Sequence, residues 1–106
     1  TYIDDIVDGT ISALDNPPAV DDKVAPHRIY NIGNNRAEDL MKLVEVLEDC
    51  IGLKANKNFL PMQLGDVPLT CADINSIQQD FGFQPRTKIE QGVPAFVSWY
   101  RQYHGL

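Results

Sequence analysis

The sequence predicts a mixed α/β fold, rich in helix, with about four helices and two or three short strands. Three observations carry this. Apolar residues recur at helical spacing in separate stretches along the chain. A β-rich run, Arg28-Ile29-Tyr30-Asn31-Ile32, is closed by the turn cluster Gly33-Asn34-Asn35. A second short run over residues 54–62 alternates weakly, with Ala55, Lys57 and Phe59 set against Asn56 and Asn58, and ends at Pro61.

The elements follow in order. Residues 1–16 are expected to form a helix, with Ile3, Val7, Ile11 and Leu14 on one stripe. Asp4 and Asp5 suit the positive end of its dipole and can accept hydrogen bonds from its free N–H groups. Asn16-Pro17-Pro18 stops it, because a residue before proline is driven out of the α region. Residues 17–26 form a polar surface loop, with Asp21-Asp22-Lys23 as a solvated tip. After the strand at residues 28–32, Asn35 and Glu38 approximate a capping box for a helix over about 37–50. Leu40, Leu43, Val44, Leu47 and Ile51 make its apolar face, and Glu38, Asp39, Lys42, Glu45 and Glu48 fall mostly on the other side. Gly52 is a natural C-terminal cap.

Residues 63–70 form a loop punctuated by Gly65 and Pro68, too polar and irregular for core. Asp73 opens a short helix with Ile74, Ile77 and Phe81 inward, and Gly82 closes it. Thr87 and Glu90 make a capping box for a last helix lined by Ile89, Val93, Phe96, Val97, Tyr100 and Tyr103. Pro94 sits one turn inside it. Trp99 and the tyrosines read as packing residues.

Composition narrows the function. A chain of 106 residues suits one domain with a modest core. Fifteen Asp+Glu against nine Lys+Arg give a net charge of −6, which disfavours phosphate-backbone binding, so no nucleic acid is expected as partner. No apolar run approaches the roughly 18 residues of a membrane helix, so no membrane is expected either. Cys50 and Cys71 are too few for a disulfide scaffold and read as reduced thiols of a cytoplasmic protein. No CxxC pair or HExxH helix offers a metal site, and no nucleophile–base–acid set stands out, so no catalytic residue is assigned. The opening Thr1-Tyr2-Ile3, without an initiator methionine, suggests a piece of something longer.

Four landmarks, in this order, carry a resemblance: Tyr2-Ile3-Asp4-Asp5-Ile6; Tyr30-Asn31-Ile32-Gly33; Leu60-Pro61-Met62-Gln63-Leu64-Gly65-Asp66-Val67-Pro68; and Ala72-Asp73 before a helix followed by Gly82-Phe83-Gln84-Pro85. From end to end, the chain resembles the C-terminal part of NAD-dependent nucleotide-sugar epimerases and dehydratases, of the extended short-chain dehydrogenase/reductase family. The third landmark is most similar to that of UDP-glucuronate 4-epimerases.

The resemblance implies a two-lobed parent, in its active form a homodimer. An N-terminal Rossmann lobe holds NAD and a catalytic Tyr-x-x-x-Lys pair, and the C-terminal lobe grips the UDP-sugar. The parent would interconvert UDP-glucuronate and UDP-galacturonate: C4 gives hydride to NAD, the keto-sugar turns over, and hydride returns to its other face. Here no tyrosine has a lysine four residues later and no Gly-rich phosphate loop occurs, so the chain alone is expected to be inactive.

By the same resemblance, Asp66 matches a carboxylate that binds ribose hydroxyls, in a loop where Gly65 lets the backbone come close. Gln63 stands where galactose epimerases carry a diphosphate-binding arginine, which leaves open what neutralises the diphosphate. Thr70 stands where relatives set the room around the sugar. Taken alone, Gly65-Asp66 is equally a turn stiffened by Val67-Pro68, and Thr70 a plain strand residue. Two other readings stand beside this one: a free-standing acidic protein-interaction domain, and a dehydratase or decarboxylase of the same family. The stripe of Ile3, Val7 and Ile11 and the strand at residues 28–32 would pack on the missing lobe, so the isolated chain is expected to self-associate or fold loosely.

Overall fold

The computed structural model describes residues 1–20 and 25–106. It contains the helices α1 (Ile3–Asp15), α2 (Leu40–Ile51), α3 (Asn75–Phe81) and α4 (Ile89–His104). The expected number of helices is met. The mixed α/β class is not: among the described residues there is no strand and no sheet. Residues 28–32 and 54–62 take no regular secondary structure, and neither finds a second segment with which to build a ladder. Strand identity depends on that partner, and side-chain pattern alone cannot supply it. The tip at Asp21-Asp22-Lys23 lies outside the described residues.

The chain divides into two compact units, Thr1–Arg36 with Cys71–Arg86 and Ala37–Thr70 with Thr87–Leu106. In the first, Ile74, Ile77 and Phe83 form the buried cluster, with Tyr30, Ile32, Ala72 and Phe81 packed around it. Residues 28–32 are thus held by side chains in place of a ladder. Asn31 Nδ2 donates to Asp73 O (3.1 Å), and the Tyr30 hydroxyl and Arg28 Nη1 both donate to Asp80 Oδ2 (2.6 Å each). These donors, the tyrosine hydroxyl first, hold the Asp80 carboxyl below its ordinary range.

Helix α1 comes close to this cluster through Gly9. A Cβ there would stand 2.8 Å from Ile32 Cγ2 and 3.1 Å from Phe83 Cε2. Asp5 is buried and accepts the Arg86 N–H (3.0 Å), tying the first turn of α1 to the end of the unit. Asp4 stays exposed in that first turn, where the helix dipole favours a negative charge. Ile3, Val7, Ile11 and Leu14 are all exposed, and Ile29 is 85% exposed.

In the second unit α2 packs on α4, with Val46 and Val97 buried. Helix α2 starts later than expected: Asp39, not Asn35, is its N-cap, and its carboxylate accepts the Lys42 N–H (3.0 Å). Gly52 ends the helix in the left-handed region (φ +79°), its N–H donating to Glu48 O (2.8 Å). Arg101 Nη2 donates to Ile51 O (2.9 Å), satisfying another terminal carbonyl of α2. Helix α4 begins after Lys88, one residue beyond the expected Thr87 cap. Pro94 is accommodated inside α4. Trp99 (54% exposed) and Tyr103 are not core residues; their rings stack on each other at 5.4 Å on the helix surface.

Candidate functional site

The residues singled out by the sequence lie together in one exposed loop of the second unit. Its centre is a turn over residues 63–66, in which the Asp66 N–H donates to Gln63 O (3.2 Å). Gly65 occupies the third position with φ +98°. This is the type II pattern, which needs a left-handed residue at that place. A Cβ on Gly65 would meet nothing within 4 Å, so backbone conformation, not crowding, calls for glycine. The turn brings Gln63 and Asp66 onto one tight reversal. Thr70 stands four residues further on, past Pro68, and all of them face solvent.

What the loop offers chemically is a carboxylate, a neutral amide, a hydroxyl and exposed backbone N–H groups. Such a set can hydrogen-bond sugar hydroxyls and a carbonyl-rich base. It carries no positive charge of its own. The nearest cations in sequence, Lys54 and Lys57, are both engaged elsewhere, on Glu48.

Glu48 is the residue that the periodicity misplaces. Its register put it on the solvated side of α2, yet it is only 6% exposed. Its Oε2 accepts from Lys54 Nζ (2.8 Å), and its Oε1 accepts from the Ala55 N–H (3.0 Å) and from Lys57 Nζ. Hydrogen bonds from the two lysines, then from the Ala55 amide, hold the Glu48 carboxyl down at about 2. A signal for this was present: Gly52 reverses the chain, and lysines six and nine residues after a helical glutamate can then fold back onto it.

An apolar groove of about 660 Å³ lies elsewhere in the same unit, between α2 and α4, lined by Leu47, Ile51, Phe96, Tyr100 and Leu106 among others. None of the loop residues contributes to it. Cys50 and Cys71 are free thiols, and Cys71 is exposed. Among the described residues no group of three His, Cys, Asp or Glu is placed to hold a metal ion. No helix among them is long and apolar enough to cross a membrane.

None of the known protein-family models matches the chain. Individual proteins do. The chain is 41% identical over 112 residues to UDP-glucuronate 4-epimerase 1 of Arabidopsis thaliana, covering 99% of this chain and 26% of that protein. It is 41% identical over 116 residues to Protein CapI of Staphylococcus aureus, covering 98% of this chain and 34% of the relative. In three dimensions it is similar to UDP-glucuronic acid 4-epimerase from Bacillus cereus, solved in complex with UDP-4-deoxy-4-fluoro-glucuronic acid and NAD. That match has a TM-score of 0.77 and 29% identity, and it covers 97% of this chain and 31% of the other. The chain therefore spans about a third or less of the length of these relatives. Over nearly its whole length it is a homologue of part of the UDP-glucuronate 4-epimerases.

Proposed function

We propose that this chain is the C-terminal, substrate-binding portion of an NAD-dependent UDP-sugar 4-epimerase, and that residues 63–70 grip the nucleotide. The observation that carries the reading is the likeness, over 97% of this chain and 31% of the other, to an epimerase chain solved with a UDP-sugar analogue and NAD. In this reading Asp66 accepts hydrogen bonds from the ribose hydroxyls. Gly65 sets the turn, closed by the Asp66 N–H on Gln63 O, that carries the Asp66 carboxylate. Gln63 donates its amide toward the diphosphate, and Thr70 lies beside the sugar. Charged acceptors make the stronger hydrogen bonds, so Asp66 contributes most.

The residues present do not fit NAD. The sequence has no Gly-rich phosphate loop and no tyrosine followed four residues later by lysine. Hydride and proton transfer are therefore assigned to polypeptide that supplies those groups, and to this chain only binding. Alone it is inactive. Its exposed stripe of Ile3, Val7 and Ile11, with Ile29, is a surface for the NAD-binding lobe. In isolation that surface drives association, so sedimentation should show a mass that rises with concentration.

Titration of the ¹⁵N-labelled chain with UDP-glucuronate, and with UDP alone, tests the grip. Both ligands should move the Gly65 and Asp66 amides, weakly, because a partial site lacks many of its contacts. Asp66→Asn should weaken UDP by roughly tenfold or more, the scale of one charge-assisted hydrogen bond. Amide changes that avoid residues 63–70 would count against the assignment.

A further inference from the structure

Every residue from 51 to 71 is exposed, so packing does not hold the loop in place. Beyond the Gly52 N–H bond to Glu48 O that closes α2, three hydrogen bonds from this stretch converge on one side chain of that helix. Glu48 receives Lys54 Nζ, the Ala55 N–H and Lys57 Nζ, all from the segment just after the Gly52 reversal. A buried carboxylate with three donors is well satisfied, and it stays charged across the neutral range because those same donors depress its protonation. The backbone donor matters most for geometry. Ala55 N–H fixes the path of the main chain, where a lysine bond fixes only a flexible tip. From this clamp the chain runs without regular secondary structure through Pro61, whose locked φ limits its freedom, to Gln63.

We propose that Glu48 is a positioning residue: its clamp on residues 54–57 sets the direction from which the loop at residues 63–70 is presented to the UDP-sugar. Glu48 itself touches no ligand. This rests on reading that loop as the nucleotide grip. Without the clamp the stretch loses its one converged attachment to α2, and binding must then re-order it at an entropic cost.

The test compares Glu48→Gln and Lys57→Gln with the native chain, each ¹⁵N-labelled. Three quantities are read: hydrogen exchange at Ala55, heteronuclear NOEs and shifts over residues 58–70, and the dissociation constant for UDP. In Glu48→Gln, Ala55 should lose protection, the NOEs over 58–70 should fall, and UDP should bind roughly three- to tenfold more weakly. Amides of α4 should stay in place. Lys57→Gln keeps two of the three donors and should show the same changes at smaller size. If Glu48→Gln fails to fold, Lys57→Gln decides alone.

Unmoved amides at residues 63–70 in both variants would overturn the proposal and leave Glu48 as a brace for its neighbours only. A loop that loosens in a chain whose native form shows no UDP response at Gly65 or Asp66 has a different meaning. The anchor would then stand, and the nucleotide reading would fall.

Discussion

The two compact units hold their irregular segments by different means, the first by burial together with hydrogen bonds to Asp73 and Asp80, the second by hydrogen bonds without burial. In the first, residues 28–32 lie against an apolar cluster, with Ile32 and Tyr30 packed on Ile74, Ile77 and Phe83. In the second, residues 52–70 are all exposed and are tied to α2 by polar bonds to Glu48. Burial is non-directional and tolerates small adjustments, whereas a clamp of three donors on one carboxylate is directional and depends on charge. The contrast fits their uses. A packed segment serves as scaffold. A loop that must stay open to a ligand cannot be packed, so its orientation has to come from hydrogen bonds at its root.

Removing burial should therefore hurt the first unit most. Ile77 is fully buried (0% exposed) at the centre of the cluster. Ile77→Ala should cost about 2–5 kcal/mol, from lost transfer energy and the cavity left behind. Urea unfolding followed by far-UV circular dichroism measures it, and a loss under 1 kcal/mol would mean that the cluster is not what holds the unit together. Next in size is Gly9→Ala. Its new methyl would meet Ile32 and Phe83 inside van der Waals contact, and overpacking of that kind costs about 1–3 kcal/mol. An unchanged or raised unfolding midpoint would show that α1 can shift away freely. Neither substitution should alter hydrogen exchange at Ala55, which belongs to the other unit.

Which parts were legible in the sequence follows from the same contrast. Features set locally could be read. The four helices, the glycine caps at Gly52 and Gly82 and the inward Ile74 and Ile77 depend on spacing and backbone preference within a few residues. Asp73 does accept an N–H at the start of α3, from Asn75, although Ile74 is the boundary residue. Features set by a distant partner could not be read. Residues 28–32 have strand composition but, among the described residues, no strand to pair with, and so take no regular secondary structure. Glu48 has the register of a surface residue, and only the lysines folded back onto it make it buried. Trp99 and Tyr103 have the composition of core, yet they lie on the surface of α4. At the loop, the Gly65 turn was visible as chemistry, while the clamp at its root was not.

Acid sharpens the comparison further, because Glu48 in the second unit and Asp80 in the first are both held below the ordinary carboxylate range. Glu48 sits at about 2 in the folded chain against an ordinary 4.5. Unfolding returns it to the higher value, so the unfolded chain binds more protons in between. The stabilisation is complete above pH 4.5 and is lost as pH falls toward 2. The urea midpoint of the native chain should therefore fall on acidification, and Glu48→Gln should remove much of that slope. Asp80 is also lowered, by the Tyr30 hydroxyl first and then by Arg28, but less far, and its ion pair is largely open to solvent. Salt and water screen such a pair. Asp80→Asn should flatten the acid limb only slightly, and added salt should reduce even that. If Asp80→Asn removed more of the slope than Glu48→Gln, the polar clamp would belong to the first unit, and the division of labour argued here would be inverted.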